Sequence, residues 1–477
     1  MTYTTAIQLE TKNKMMKTLQ YKRLKLPILG IVFLFGMLTV ALSITIVVKI
    51  NKKFSENGFS TEKLMINSKL LHQSSDLGLA ESIRMDEVMT YLNELQRIAT
   101  AFNGTRAVNT PGFNSTLDYI VNHLTANTNY KVNKTFFYMR DFALANNPVL
   151  ISSINGVQKS YNYSTDISTA DFYHVKFSTS VKFSKNMQLT AIPNVGCTDD
   201  DWQKALPPPE GHLPDFPVGN ICADTPTGDP TQTIVIGSHS DSVAEGAGIN
   251  DNGSGSAANL ALAVTLARLF RSPSYPKYKY RVRFCWWGAE EEGLVGSVYH
   301  VIQALNSTVV GERFSDYLVN LNYDMLGSPN YIFGIYDGRT ARNDTPPEAL
   351  PGSNKITALF RDWFVRHQLP WDYTGFDGRS DYFPFLAGGI VAGGLFAGAD
   401  DVKTQQERDR YDEMLGQGSG GMAGIIHDPC YHAECDTIQN INVFGYEKMV
   451  QAAAYALEFL GRHDDLKSWL YASSDIH

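Results

Sequence analysis

The sequence predicts an α/β protein: a three-layer α/β/α sandwich with a mixed, mostly parallel central sheet, a small β-rich insert and one N-terminal transmembrane helix. Two observations carry this expectation. From Thr231 onward, short β-type runs alternate with helical segments, the pattern that builds a largely parallel sheet covered by helices. Far upstream, Leu26 to Val48 runs without a charge between basic clusters. At about 1.5 Å per residue, such a helix crosses a hydrocarbon core of about 30 Å.

The first element is justified by charge. The 477-residue chain has a formal net charge of −8, but residues 1–53 hold nine Lys/Arg against Glu10 alone, a net of +8 that leaves −16 on the remainder. Six of the nine basic residues precede the apolar stretch. The positive-inside rule then makes 1–25 a cytosolic tail, 26–48 a signal-anchor and 49–80 a stalk, with the body lumenal or extracellular on a vacuolar or secretory-pathway membrane. The alternative is secretion after cleavage near Ala41-Leu42-Ser43, but that apolar region is about twice the usual signal-peptide length. Charged residues at 19% and hydrophobic ones at 43% exclude a disordered chain and a multi-span transporter. The acidic body argues against a nucleic-acid partner.

A glycosylating, oxidising lumen fits two further patterns. Glycosylation sequons stand at Asn103, Asn114, Asn133, Asn162, Asn306 and Asn343. Of five cysteines, Cys430 and Cys435 share a Pro-containing loop, Cys197 and Cys222 flank a Pro-rich segment, and Cys285 lies in an apolar strand. The expectation is two disulfides, Cys430–Cys435 and Cys197–Cys222, and one buried thiol.

Residues 81–129 carry two helices, about Glu81–Ala101 and Thr116–Leu124, from apolar positions at helical spacing. Residues 130–229, with β-type runs such as Asn147–Ile154 and His174–Phe183, form the expected insert. Residues 230–477 supply the main domain. Its strands are expected at Gln232–Gly237, Tyr280–Trp287, Tyr317–Tyr323, Asn330–Tyr336 and Ile390–Phe396, and its helices at Ser254–Phe270, Ser297–Leu305, Ser353–His367 and Gly445–Leu460.

In such sheets chemistry gathers at the carboxyl ends of strands, and three strands here end in polar clusters. Ser238-His239-Ser240-Asp241 leads on to Asn250-Asp251-Asn252-Gly253; Gly288-Ala289-Glu290-Glu291-Glu292-Gly293 and Asn322-Tyr323-Asp324-Met325 end the other two, and Asp428-Pro429-Cys430-Tyr431-His432 lies near the C-terminus. Each cluster alone is an ordinary loop. Together, two His and three carboxylates can hold two zinc ions with one Asp bridging, and a further Glu is left as base toward an attacking water. That is the equipment for peptide or amide hydrolysis. The run Gly416-Gln-Gly-Ser-Gly-Gly follows no strand and reads as a loop, and the chain has neither His-Glu-x-x-His nor Gly-x-Ser-x-Gly.

These motifs, with Gly378-Arg-Ser-Asp-Tyr-Phe-Pro-Phe and the segment Arg106 to Ile120, resemble those of the co-catalytic di-zinc aminopeptidases, which include secreted bacterial leucyl aminopeptidases and fungal vacuolar aminopeptidase Y. The resemblance implies that His239 and Asp324 hold one zinc, Glu291 and His432 the other, and that Asp251 bridges. It implies Glu290 as general base and acid, Asp241 as the carboxylate orienting His239, and Tyr431 as the group stabilising the oxyanion. A cis peptide at Asp251-Asn252 and a Cys430–Cys435 loop disulfide are implied too. His427, five residues before His432, is the less favoured ligand by motif position. The insert resembles the first half of a protease-associated domain, around Asn194-Val-Gly-Cys197, without the second half. The implied partners are peptides or proteins with a free N-terminus. The alternatives are a carboxypeptidase, dipeptidase or glutaminyl cyclase on the same fold, or a non-catalytic receptor-like member.

Overall fold

The computed structural model describes residues 78–140, 150–154, 157–164, 169–172 and 215–471. The expected signal-anchor, nearly all of the stalk, the run His174–Phe183 and Cys197 lie outside them. Among the described residues no helix is long and apolar enough to cross a membrane.

Two helices come first, α1 (Met85–Ala101) and α2 (Pro111–Asn127), followed by strands β1 (Lys131–Arg140), β2 (Leu150–Ile154), β3 (Val157–Tyr161), β4 (Asp215–Asp224) and β5 (Asp229–His239). Next come α3 (Gly255–Phe270), β6 (Tyr280–Trp287), α4 (Val295–Asn306), β7 (Tyr317–Tyr323), β8 (Gly334–Asp337) and α5 (Leu350–Arg366). β9 (Asp372–Gly375), α6 (Phe383–Ala387), β10 (Val391–Phe396), α7 (Gln405–Leu415), α8 (Val443–Arg462) and α9 (Leu466–Leu470) complete the set.

Eight strands form one sheet in the order β1-β4-β6-β5-β7-β10-β8-β9, and β2 and β3 make a separate hairpin. The centre is parallel, β6 to β5 to β7 to β10, with β8 and β9 parallel at one edge. β1, β4 and β6 pair antiparallel, as do β10 and β8. Every residue of β6 and β7 is buried, which is why both read as near-continuous apolar runs. Alternation of side chains separates two cores. Ile234, Ile236, Phe284 and Trp286 join the larger one with residues of α1, α2, α3, α5 and α8. Val235, Cys285 and Trp287 point the other way, to Val301 of α4 and Phe385 of α6. α3 is buried at every position from Gly255 to Ala267, the expected fate of an Ala/Leu helix without a polar face.

Two expectations change. β1 and β4 fall in the span 130–229 expected to form an insert, yet they belong to the main sheet, β4 bridging β1 to β6. Antiparallel edge strands carry the same short β-type pattern as an inserted module, so composition could not separate them. Register also decides the cysteines. Cys222 of β4 lies opposite Cys285 of β6, their Cα atoms 4.2 Å apart, and the disulfide is Cys222–Cys285 in place of Cys197–Cys222. Cys285 is therefore not a free thiol. Cys430–Cys435 is present.

Candidate metal centre

His239 is the last residue of β5, Asp324 follows β7, and Glu290 and Glu291 stand in the turn after β6. Three strand ends therefore deliver four of the candidate groups to one rim. Asp251 comes from the turn 249–254 ahead of α3, whose Asp251-Asn252 peptide is cis, and His432 from the loop closed by Cys430–Cys435.

The geometry gathers these side chains into three groups, two of which share Asp251, the third being His239, Glu290 and Glu291. Asp251 Oδ1 lies 3.2 Å from His239 Nε2, and Asp324 Oδ1 lies 3.4 Å from the same nitrogen. Asp251 Oδ2 lies 3.1 Å from His432 Nε2, and Glu291 Oε2 is likewise 3.1 Å from it. His239, Asp251 and Asp324 could hold one cation, and Asp251, Glu291 and His432 another. Glu290 Oε2 is 3.9 Å from His239 Nε2. His427 is buried elsewhere and is in none of these groups.

Neighbours fix the orientation of each group. Ser380 Oγ donates to Asp324 Oδ2 at 2.5 Å and accepts from Asn322 Nδ2 at 2.8 Å, so the other Asp324 oxygen is turned toward His239. His239 Nδ1 hydrogen-bonds the Asp241 backbone carbonyl at 3.2 Å, with Asp241 Oδ1 3.7 Å away, while the two Asp241 carboxylate oxygens accept the backbone N–H groups of Glu290 and Glu291 at 3.3 Å each. Asp241 thus ties the histidine to the glutamate turn. Asp436 accepts the N–H groups of Asn250 and Asp251, and Asn252 Oδ1 accepts those of Gly255 and Met325. Of these supports, Asp436 and the role of Ser380 were not anticipated from sequence. Ser380 stands in the Gly378-Arg-Ser-Asp motif, whereas Asp436 carries no signal beyond its nearness to Cys435.

The electrostatics are those of a site shaped for cations. Burial, with the neighbouring acids Asp381, Asp324 and Glu291, pushes the Glu290 carboxyl well above its usual range, although His239 opposes this. Burial and Asp251 push Glu291 up to about 7. Burial works against a charged His432, but its hydrogen bonds to Asp251 and Glu291 prevail and raise it to about 10. Asp324 Oδ1 and Glu291 Oε1 are buried with no hydrogen-bond donor. Bare, crowded acceptors facing imidazole nitrogens fit a zinc ligand set of N and O atoms.

The groups open on a cavity of about 120 Å³ lined also by Met325, Tyr336, Phe396 and Tyr431. The Tyr431 ring stacks on His432 with centroids 3.8 Å apart, and its hydroxyl accepts from Arg379 Nη2 at 3.4 Å. All six sequon asparagines are exposed, whereas Asn252, which also stands in a formal sequon, is fully buried.

Strand ends, the turn before α3 and the Cys430–Cys435 loop together bring two histidines and a set of carboxylates around one aspartate, the build of a metal centre on an α/β scaffold. Residues 220–457 match the model of peptidase family M28, and through them the chain belongs to that family. It is 42% identical over 241 residues to a Pseudomonas aeruginosa protein named aminopeptidase, covering 50% of this chain and 41% of that one. To leupeptin-inactivating enzyme 1 of Streptomyces exfoliatus it is 41% identical over 245 residues, covering 51% and 48%. The chain thus spans less than half the length of these relatives. In fold it is similar to an aminopeptidase from Aneurinibacillus sp. strain AM-1, with a TM-score of 0.52 at 17% identity, over 80% of this chain and 95% of that one. A zinc aminopeptidase from Bacillus subtilis gives 0.51 at 16% identity, over 80% and 96%.

Proposed function

We propose that the chain is a zinc-dependent aminopeptidase that hydrolyses the N-terminal peptide bond with two zinc ions. The observation that carries the reading is Asp251, one oxygen beside each histidine, the arrangement a bridging carboxylate needs. His239 and Asp324 would hold one ion, Glu291 and His432 the other. Zinc held there would supply Lewis acidity to the substrate carbonyl and to the attacking water.

The chain's own residues do the rest. Glu290, kept basic enough by burial, takes the proton of the attacking water and returns it to the leaving amine. Tyr431, held by Arg379 and stacked on His432, donates its hydroxyl hydrogen to the developing oxyanion. Glu290 and Asp324 face the cavity and suit a free α-ammonium, which selects an N-terminus. Met325, Tyr336 and Phe396 give the cavity an apolar wall, which suits a large apolar first side chain. The names of the relatives point the same way. Exposed sequons and two disulfides support a glycosylated, lumenal or extracellular enzyme, anchored by residues 26–48.

The test is hydrolysis of leucyl-anilide beside its N-acetylated form. Release from the free amine alone, lost with a chelator and restored by zinc, is expected. Cleavage of N-blocked peptides from the C-terminus, or cyclisation of N-terminal glutamine, would favour the alternative reactions.

A further inference from the structure

Arg106 precedes α2 and is completely buried. Its Nε donates to the carbonyl of Ala247 at 2.9 Å, Nη1 to that of Ser240 at 2.6 Å, and Nη2 to that of Gly248 at 2.6 Å. These three hydrogen bonds run to neutral carbonyls, although a cation removed from water is ordinarily compensated by an anion in contact. The compensation here comes from further away. Asp241, Asp436, Asp251 and Glu291 are the acids whose charge favours the Arg106 cation, against burial that pushes it down to about 10.

The segments it holds are those that carry the candidate ligands. Ser240 follows His239, and Gly248 opens the turn to Asp251. The same junction is fastened twice more: Arg106 N–H donates to Ser242 Oγ at 3.0 Å, and Thr105 Oγ1 donates to the Val243 carbonyl at 2.9 Å. Gly248 has φ +59°, and a Cβ there would lie 2.3 Å from the Asp251 carbonyl oxygen and 3.3 Å from Arg106 Nη2. The turn beside the guanidinium leaves no room for a side chain at Gly248.

We infer that Arg106 is a positioning residue for the metal centre, clamping the His239 and Asp251 segments at the spacing a shared carboxylate requires and standing as the fixed cation behind the acids. This rests on reading the site as a metal centre. The planar fork makes the clamp, since a lysine ammonium cannot meet three carbonyls set around a guanidinium.

Wild type, Arg106→Lys and Ser242→Ala are compared by zinc affinity in chelator competition, Tm of the zinc-free protein, and kcat and KM on leucyl-anilide. Arg106→Lys keeps the charge and loses the fork, so zinc binding weakens by about 10–100-fold, as for partners that orient ligands, and kcat falls more than KM rises. A lowered Tm with zinc affinity within about two-fold of wild type, too small a change for such a partner, would reduce Arg106 to packing and overturn the inference. Should Arg106→Lys fail to fold, Ser242→Ala decides: it frees the Arg106 backbone and should also weaken zinc binding, and unchanged affinity overturns the clamp. Wild type that binds no zinc would instead overturn the metal-centre reading itself.

Discussion

Asp436 Oδ2 accepts the backbone N–H of Asp251 at 3.0 Å, while its other oxygen accepts that of Asn250 at 2.8 Å. One buried carboxylate thus holds the turn that presents the proposed bridging residue. Asp436→Ala leaves two buried N–H donors without acceptors, each costing about 1–3 kcal/mol. Urea denaturation should show that loss, and zinc content per chain should fall with it. Wild-type zinc content would mean that Asp251 keeps its place unaided.

Among the candidate ligands, Ser380 bears on Asp324 alone. Ser380→Ala removes the donor that turns Asp324 Oδ1 toward His239, so the site formed with His239 should weaken about 10-fold or more. Stability should fall by about 1–3 kcal/mol, because the buried Asn322 Nδ2 loses its acceptor. Zinc titration of the variant should show one site weakened and the other, built on Glu291 and His432, near its wild-type affinity.

Zinc affinity should rise with pH. His432 is raised to about 10 by its carboxylate partners in spite of burial, and Glu291 to about 7 chiefly by burial. Ligands must be neutral imidazole and ionised carboxylate, so zinc has to displace a proton from each. Below pH 7 both protons are displaced. Between pH 7 and 10 the Glu291 proton is already gone and only that of His432 remains. At the site of these two residues, log affinity should therefore climb with a slope of about two below pH 7 and about one above it. Calorimetry in buffers of differing ionisation enthalpy measures the protons directly, and affinity flat from pH 5 to 8 would contradict the reading.

The Cys430–Cys435 loop carries Tyr431 and His432. Cys435→Ser opens a short loop, for which the unfolded chain gains about 2 kcal/mol of closure entropy. The larger effect expected is local: His432 loses its fixed position, and zinc is lost from the site shared with Glu291. Metal content measured beside Tm separates the two effects, because an unstable protein with full zinc would place the bond's value in the fold alone.

The motif residues were legible because they cluster at the ends of apolar strands, where β5, β6 and β7 deliver them to one rim. What supports them was less so. Arg106, Asp436 and Ser380 act through distant backbone or through another side chain, and no local spacing announces that. Cys222 and Cys285 pair only because β4 lies antiparallel to β6, a register that cysteine spacing does not encode. α7 was missed because Gln405–Leu415 is almost entirely polar, with Tyr411 its one buried residue. Its available signal was the capping box, Thr404 with Glu407. β1 and β4 were misassigned because an edge strand and an inserted strand look alike in sequence.

The most direct measurement is zinc content and leucyl-anilide hydrolysis for wild type and Glu290→Gln side by side. Two zinc ions should be found per folded chain in both. The variant should lose at least about 100-fold in kcat, the contribution of a general base. Fewer than two ions in wild type, or unchanged hydrolysis in Glu290→Gln, would contradict a di-zinc peptidase that uses Glu290 as its base.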